Sequence, residues 1–256
     1  MKGLKDNLWL WGQKPSGYDD AGYGLPKGNK MTPTEGLEFF DIPNLCRVKL
    51  SSEASNSFIN DPWISDAASK VCLSLVGAGG EVPRVDIEDI LTLAKSDERI
   101  VSAVMDDFIS QKRMKAFTPE VLGGYIDRLH NTLPRPLELW SVLYERDFDI
   151  TPIDRARMFD VTTFWIWFGE NLDNYEQHFR RIREIVNGGR IMLGIYMYDF
   201  GNKRPLSDDA MRRQLEFVER KYNEGMIEGA ILCSNVIADI GLSTVEITRS
   251  WIKNLK

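Results

Sequence analysis

Short apolar runs recur along the chain, separated by longer stretches in which apolar positions return every three or four residues. The runs are 8–11 (LWLW), 45–50 (LCRVKL), 71–76 (VCLSLV), 101–105 (VSAVM), 137–143 (LELWSVL), 161–167 (VTTFWIW), 190–200 (RIMLGIYMYDF) and 229–233 (GAILC). They are too short and too uniformly apolar for amphipathic helices, and read as strands buried on both faces. Between them the punctuation is helical. Thr32, Pro33 and Glu35 predict an N-cap, a first-turn proline and a capping box. Residues 86–94 (DIEDILTLA) continue with helical spacing. A helix opening at Thr118-Pro119-Glu120 puts Leu122, Tyr125, Ile126 and Leu129 on one face, and Pro134 and Pro136 close it. A short helix is expected over 152–158, and longer ones over 172–186, 208–223 and 243–255, with Asn187-Gly188-Gly189 forming a C-cap.

Two stretches break the rhythm. Residues 12–30, rich in Gly, Pro, Lys and Asp, form a long loop and a possible substrate loop. Residues 51–70 are the least regular, with a short helix expected near 63–68. Eight strands alternating with helices are the signature of a parallel sheet, and 256 residues suit its closed form. The expectation is therefore an α/β fold, a single (β/α)8 TIM barrel spanning residues 1–256.

Composition removes classes and adds none. Apolar residues make up 43% and charged residues 27%, with a net charge of −6 and no cluster of Lys or Arg. Nucleic acid is thus not an expected partner. Cys46, Cys72 and Cys233 lie in apolar segments without CxxC spacing and read as core residues. No run approaches a membrane span, and the first thirteen residues hold too short an apolar stretch for a signal peptide. The compartment and the oligomeric state stay open.

Barrels of this kind assemble their sites just past the carboxyl ends of the strands. Here those positions carry Trp11 and Gln13, Lys49, Ser74, Asp106 and Asp107, Tyr144 and Glu145, Trp165 and Trp167, then Tyr196, Tyr198, Asp199, Ser234, Asn235 and Asp239. Carboxylates, amides and large aromatics suit carbohydrate or another polyhydroxylated small molecule. Sugar rings stack on aromatic faces and their hydroxyls bond to charged and amide groups. Hydrolysis needs two carboxyl groups, one protonated and one ionised. Asp106 or Asp107 paired with Asp199 is the expected combination, with Glu145 in reserve. Gln13, Lys49, Tyr144, Tyr196, Tyr198, Asn235 and the tryptophans 11, 165 and 167 are the expected substrate contacts. No cofactor is required, although Asp106, Asp107, Glu145 and Asp199 could together hold a divalent cation.

Acids after strands four and seven resemble the layout of retaining glycoside hydrolases built on (β/α)8 barrels. By position, that resemblance implies Asp107 as acid/base and Asp199 as nucleophile. The chain departs from the pattern in having aspartate at both places and Asp106, where that group has asparagine, before the first acid. Asp-Asp-Phe at 106–108 also resembles sugar-acting barrels in which a strand-four aspartate is the nucleophile. Over its length the chain is similar to an uncharacterised bacterial family with WGQ, IPN and YMYDF stretches, a resemblance that implies the fold and no reaction.

Each candidate also has a structural reading. Asp106 and Asp107 should alternate in a strand, one toward the barrel mouth and one toward the helices. Glu145 can pair with Arg146, Asp199 can hold a loop, and Trp165 and Trp167 can pack together under the helices. A non-catalytic glycan-binding barrel fits the same list. So does a metal-assisted lyase, isomerase or aldolase on a small sugar acid, with Lys49 as a Schiff-base candidate. His130 and His178, on helices, do not form a metal site; Gly77-Ala78-Gly79-Gly80 reads as a turn; Ser74 and Ser234 lack a nucleophile-elbow context.

Overall fold

Parallel pairing joins each apolar run to the next and the last to the first, so the sheet closes into an eight-stranded barrel in sequence order. This arrangement comes from a computed structural model that describes residues 3–50, 53, 57–77 and 86–255. The strands are β1 (Leu8–Gly12), β2 (Asn44–Arg47), β3 (Lys70–Val76), β4 (Ile100–Met105), β5 (Glu138–Tyr144), β6 (Val161–Trp165), β7 (Arg190–Tyr196) and β8 (Gly229–Cys233). Around them run α1 (Pro33–Phe40), α2 (Ile87–Ser96), α3 (Gln111–Ala116), α4 (Pro119–Asn131), α5 (Ile153–Ala156), α6 (Tyr175–Val186), α7 (Asp208–Asn223) and α8 (Ser243–Asn254). The expected (β/α)8 TIM barrel is the observed fold. Among the described residues, no helix is long and apolar enough to cross a membrane.

Local chemistry explains the helix starts. Thr32 Oγ1 accepts the Glu35 N–H at 3.2 Å while Glu35 Oε2 accepts the Thr32 N–H at 2.8 Å, the reciprocal box expected from the sequence. Ser110, Thr118 and Ser207 cap α3, α4 and α7 with one bond each, the side-chain oxygen accepting an N–H three residues on. Where the structure departs from expectation, side chains have captured the backbone. No helix forms over 63–68, because Asp61 accepts the Trp63 N–H at 2.9 Å and Ser65 accepts the Ala67 N–H at 3.1 Å. Such bonds offer the chain an alternative to helix.

β2 ends at Arg47, earlier than its apolar run suggested, for an electrostatic reason. Arg47, fully buried, pairs with Glu53 and with Asp61 at 3.0 Å, and Lys49 Nζ reaches Asp61 at 2.7 Å. The ion cluster pulls the chain out of the sheet. Gly77 meets it from β3, where a Cβ would lie 2.1 Å from the Lys49 carbonyl oxygen. The rest of the glycine-rich stretch read as a turn, 78–80, lies outside the described residues.

Large side chains fill the barrel in tiers. Trp9 and Trp140 meet edge to face at 4.8 Å near the strand starts, and Trp11 and Trp165 do so at 5.4 Å near the strand ends. Trp165 is buried and lies across Gly194 of β7, whose missing Cβ would be 1.9 Å from the indole. Its Nε1 donates to Thr163 Oγ1 at 2.9 Å. The alternative of Trp165 under the helices is thereby excluded: the glycine in GIYMYDF makes room for it inside. The three cysteines are buried and unbridged.

Candidate functional site

A cavity of about 550 Å³ opens at the carboxyl ends of the strands. Asp106 and Asp107 form part of its wall, with Tyr144 and Arg146 from the end of β5 and the turn after it. Trp11, Trp165, Trp167, Tyr196 and Phe200 supply aromatic surface, and Tyr18 and Tyr23 reach over from the 12–30 loop. A volume of this size matches a site for a small molecule.

Both strand-four acids face this space, against the expectation that alternation would send one to the helices. The strand ends at Met105, and Asp107 adopts a left-handed backbone with φ 45°. Aspartate tolerates that conformation better than most residues, and the turn breaks the period-two rule. Asp106 Oδ1 accepts the Asp107 N–H at 2.8 Å, and Arg113 Nη1 donates to the Asp106 carbonyl at 2.8 Å and to that of Asp107. Tyr144 donates its hydroxyl to Asp107 Oδ1 at 2.9 Å, and the Tyr196 hydroxyl bonds to Tyr144 in turn.

The electrostatics separate the two acids. Burial, reinforced by the negative charge of Asp107, pushes the Asp106 carboxyl well above the usual range, against a smaller pull from Arg113. Burial also raises the phenols around it. Tyr23 goes to about 12, helped by Asp107, and Tyr18, Tyr144 and Tyr196 are raised well above their ordinary value. The Cys233 thiol, beside Tyr18 at 3.6 Å, is pushed by burial to about 12.

Other expected site residues are brought elsewhere. Asp199 does not line the cavity; its Oδ1 accepts the Gly169 and Asn202 N–H groups, each at 3.1 Å, while Oδ2 takes Asn202 Nδ2 at 3.0 Å and Arg204 Nε at 3.3 Å. Glu145, buried, accepts the N–H groups of Trp167 at 2.7 Å and Phe168 at 3.1 Å, and Asn171 Nδ2 at 2.9 Å. Both carboxylates are therefore loop anchors, and the expected pairing across the cavity between strands four and seven is not formed. The Arg146 partner suggested for Glu145 is not its partner either. Lys49 belongs to the ion cluster behind β2, which leaves no free amine for Schiff-base chemistry at that position. The four acids that could share a cation are not gathered, and no group of three or more His, Cys, Asp or Glu among the described residues could hold a metal ion.

The remaining amides and one phenol shape the loop. Asn235 accepts the Gln13 N–H at 2.9 Å and donates to the carbonyls of Gln13 at 2.9 Å and Met31 at 2.7 Å, clamping both ends of the 12–30 loop. Tyr198 donates to the Tyr23 carbonyl at 3.0 Å. Gln13 is fully buried, and its side-chain amide has no hydrogen-bond partner among the described residues. The loop is thus held as a cover, and its tyrosines were overlooked because a Gly- and Pro-rich segment offers no periodicity. Arg146 was overlooked as a mere neighbour of Glu145.

No family model and no curated protein matches the chain in sequence. Solved structures share its fold. An endo-β-N-acetylglucosaminidase from Cordyceps militaris superposes with a TM-score of 0.55 at 9% identity, covering 99% of this chain and 91% of its own. An intracellular xylanase from Thermoanaerobacterium saccharolyticum gives 0.51 at 14%, covering 90% and 86%. A probable 2-pyrone-4,6-dicarboxylic acid hydrolase from Acinetobacter baumannii gives 0.58 at 8%, covering 97% and 92%. The chain is a TIM barrel with distant structural likeness to these proteins. At these identities the likeness is one of fold.

Proposed function

We propose that the chain is a carbohydrate-active barrel, a glycoside hydrolase whose proton transfer is done by Asp106 and Asp107. The observation that supports this most is a buried acid whose carboxyl is pushed toward its protonated form, next to a second acid on the wall of the same aromatic-lined cavity. Glycoside cleavage needs a proton for the leaving oxygen and negative charge near the oxocarbenium-like centre. Burial favours the protonated form of Asp106. Asp107, oriented by the Tyr144 hydroxyl, is the second carboxyl. Trp167, Tyr196 and Phe200 offer faces and edges for sugar rings. The fold alone would not argue a chemistry, since this barrel hosts many; the activities of the acetylglucosaminidase and the xylanase agree with the reading.

The test is turnover on a panel of aryl glycosides. Asp106→Asn and Asp107→Asn should each lower kcat by about 10² to 10⁴, the range for losing a general acid or base. Full activity in both variants refutes the assignment. One observation favours a second reading, a barrel that holds a glycan without cleaving it: the Asp199 carboxylate is spent on its own loop, so that the strand-seven acid is not available to the cavity. That reading expects no product from any glycoside, loss of binding on Trp167→Ala, and only weakened binding on either Asp→Asn change.

A further inference from the structure

Arg146 follows Glu145 in the turn after β5, and its guanidinium lies over the Trp167 ring at 4.2 Å and the Tyr144 ring at 4.7 Å. Cation–π contact does not consume the N–H donors of the group. Among the described residues those donors make no hydrogen bond: Nε is 3.9 Å from Asp147 Oδ1, an ion pair beyond hydrogen-bonding distance. Its side chain keeps 37% of its surface exposed and lines the cavity. A ligand can therefore reach it.

The perch is also rigid. Glu145 fastens the end of β5 to the backbone of Trp167 and Phe168, so the ring and the arginine that stacks on it are held by one carboxylate. Trp167 is braced from its other neighbours by Phe200, stacked at 6.0 Å, and by Tyr23 at 6.1 Å. A fork of donors fixed in this way matches the paired oxygens of an oxyanion. Asp107, in the same cavity, already has Tyr144 as a donor.

We infer that Arg146 is a specificity residue that selects a sugar bearing an oxyanion, a ring carboxylate as in a uronic acid or a sulfate ester. This rests on the cavity being a sugar site and deepens that reading. The sugar ring lies against Tyr196 and Phe200, and its anionic group meets the guanidinium donors at the mouth.

Titration calorimetry on the whole chain tests it, with methyl α- and β-glycosides of glucuronic acid, galacturonic acid, glucose and galactose, and with glucose 6-sulfate. At least one anionic sugar should bind about tenfold to a hundredfold tighter than its neutral counterpart, the range for a hydrogen-bonded charge pair. Arg146→Gln should erase that difference by weakening the anionic sugar. A preference for the uronides alone marks a carboxylate as the natural group, and one for the 6-sulfate alone marks a sulfate. Equal binding of neutral and anionic sugars by the wild type, no binding of either, or a preference that survives Arg146→Gln would overturn the inference. Turnover on neutral and acidic aryl glycosides is scored separately. Hydrolysis without an anion preference sinks this inference and keeps the hydrolase, whereas an anion preference without hydrolysis does the reverse.

Discussion

Glu145→Gln separates a loop anchor from a catalytic acid. The carboxylate accepts three hydrogen bonds: Oε2 from the Trp167 N–H, Oε1 from the Phe168 N–H and Asn171 Nδ2. Glutamine has one acceptor oxygen. In its better orientation it keeps the two bonds to Oε1 and turns an NH2 group toward the Trp167 N–H, donor against donor. One charge-assisted bond is lost and a buried N–H is left without a partner, at a cost of about 2–4 kcal/mol. For a chain of this size that corresponds to roughly 5–15 °C in Tm. Thermal unfolding followed by circular dichroism reads the shift. Aryl-glycoside kinetics on the same samples should show a raised KM, because Trp167 is released, with kcat within about tenfold of wild type. An unchanged Tm with abolished kcat would refute the anchoring argument and return Glu145 to the chemistry.

Two further substitutions bear on the site and its support. Since the folded Asp106 carboxyl is raised above its unfolded value, near 3.9, the native state keeps a proton that the unfolded state releases. Stability contributed by the protonated carboxyl is full below the unfolded value and is lost as pH rises toward the folded one. Asp106→Asn removes that loss, so its Tm relative to wild type should climb as pH rises above about 4 while turnover falls; a difference in Tm independent of pH would show that the Asp106 carboxyl is not raised. Gly194→Ala would drive a methyl into the Trp165 indole, 1.9 Å away in the native backbone, and should cost about 1–3 kcal/mol by overpacking, measured by chemical denaturation. Wild-type stability in that variant would mean that the tryptophan has somewhere else to go.

What the chain determines by itself is local and periodic. Uniformly apolar runs between helix-spaced stretches were sufficient for eight parallel strands, because burial on both faces leaves no other use for such runs. The Thr32–Glu35 box and the Thr118 start of α4 were legible because each bond closes within a few residues. Strand-end positions then followed, and with them the neighbourhood of Asp106, Tyr144 and Trp165.

Which of those residues share a cavity was decided only in three dimensions. Asp106 and Asp107 face the same space because of one left-handed residue at the strand's end, and no alternation rule anticipates it. Asp199 and Glu145 leave the cavity because backbone N–H groups 22 to 30 residues away need acceptors. Tyr18 and Tyr23 enter it because Asn235, 222 residues from Gln13 in the chain, clamps the loop that bears them. Periodicity reports which face of an element is buried. Where a carboxylate past a strand's end spends its lone pairs depends on which loops the closed barrel brings beside it.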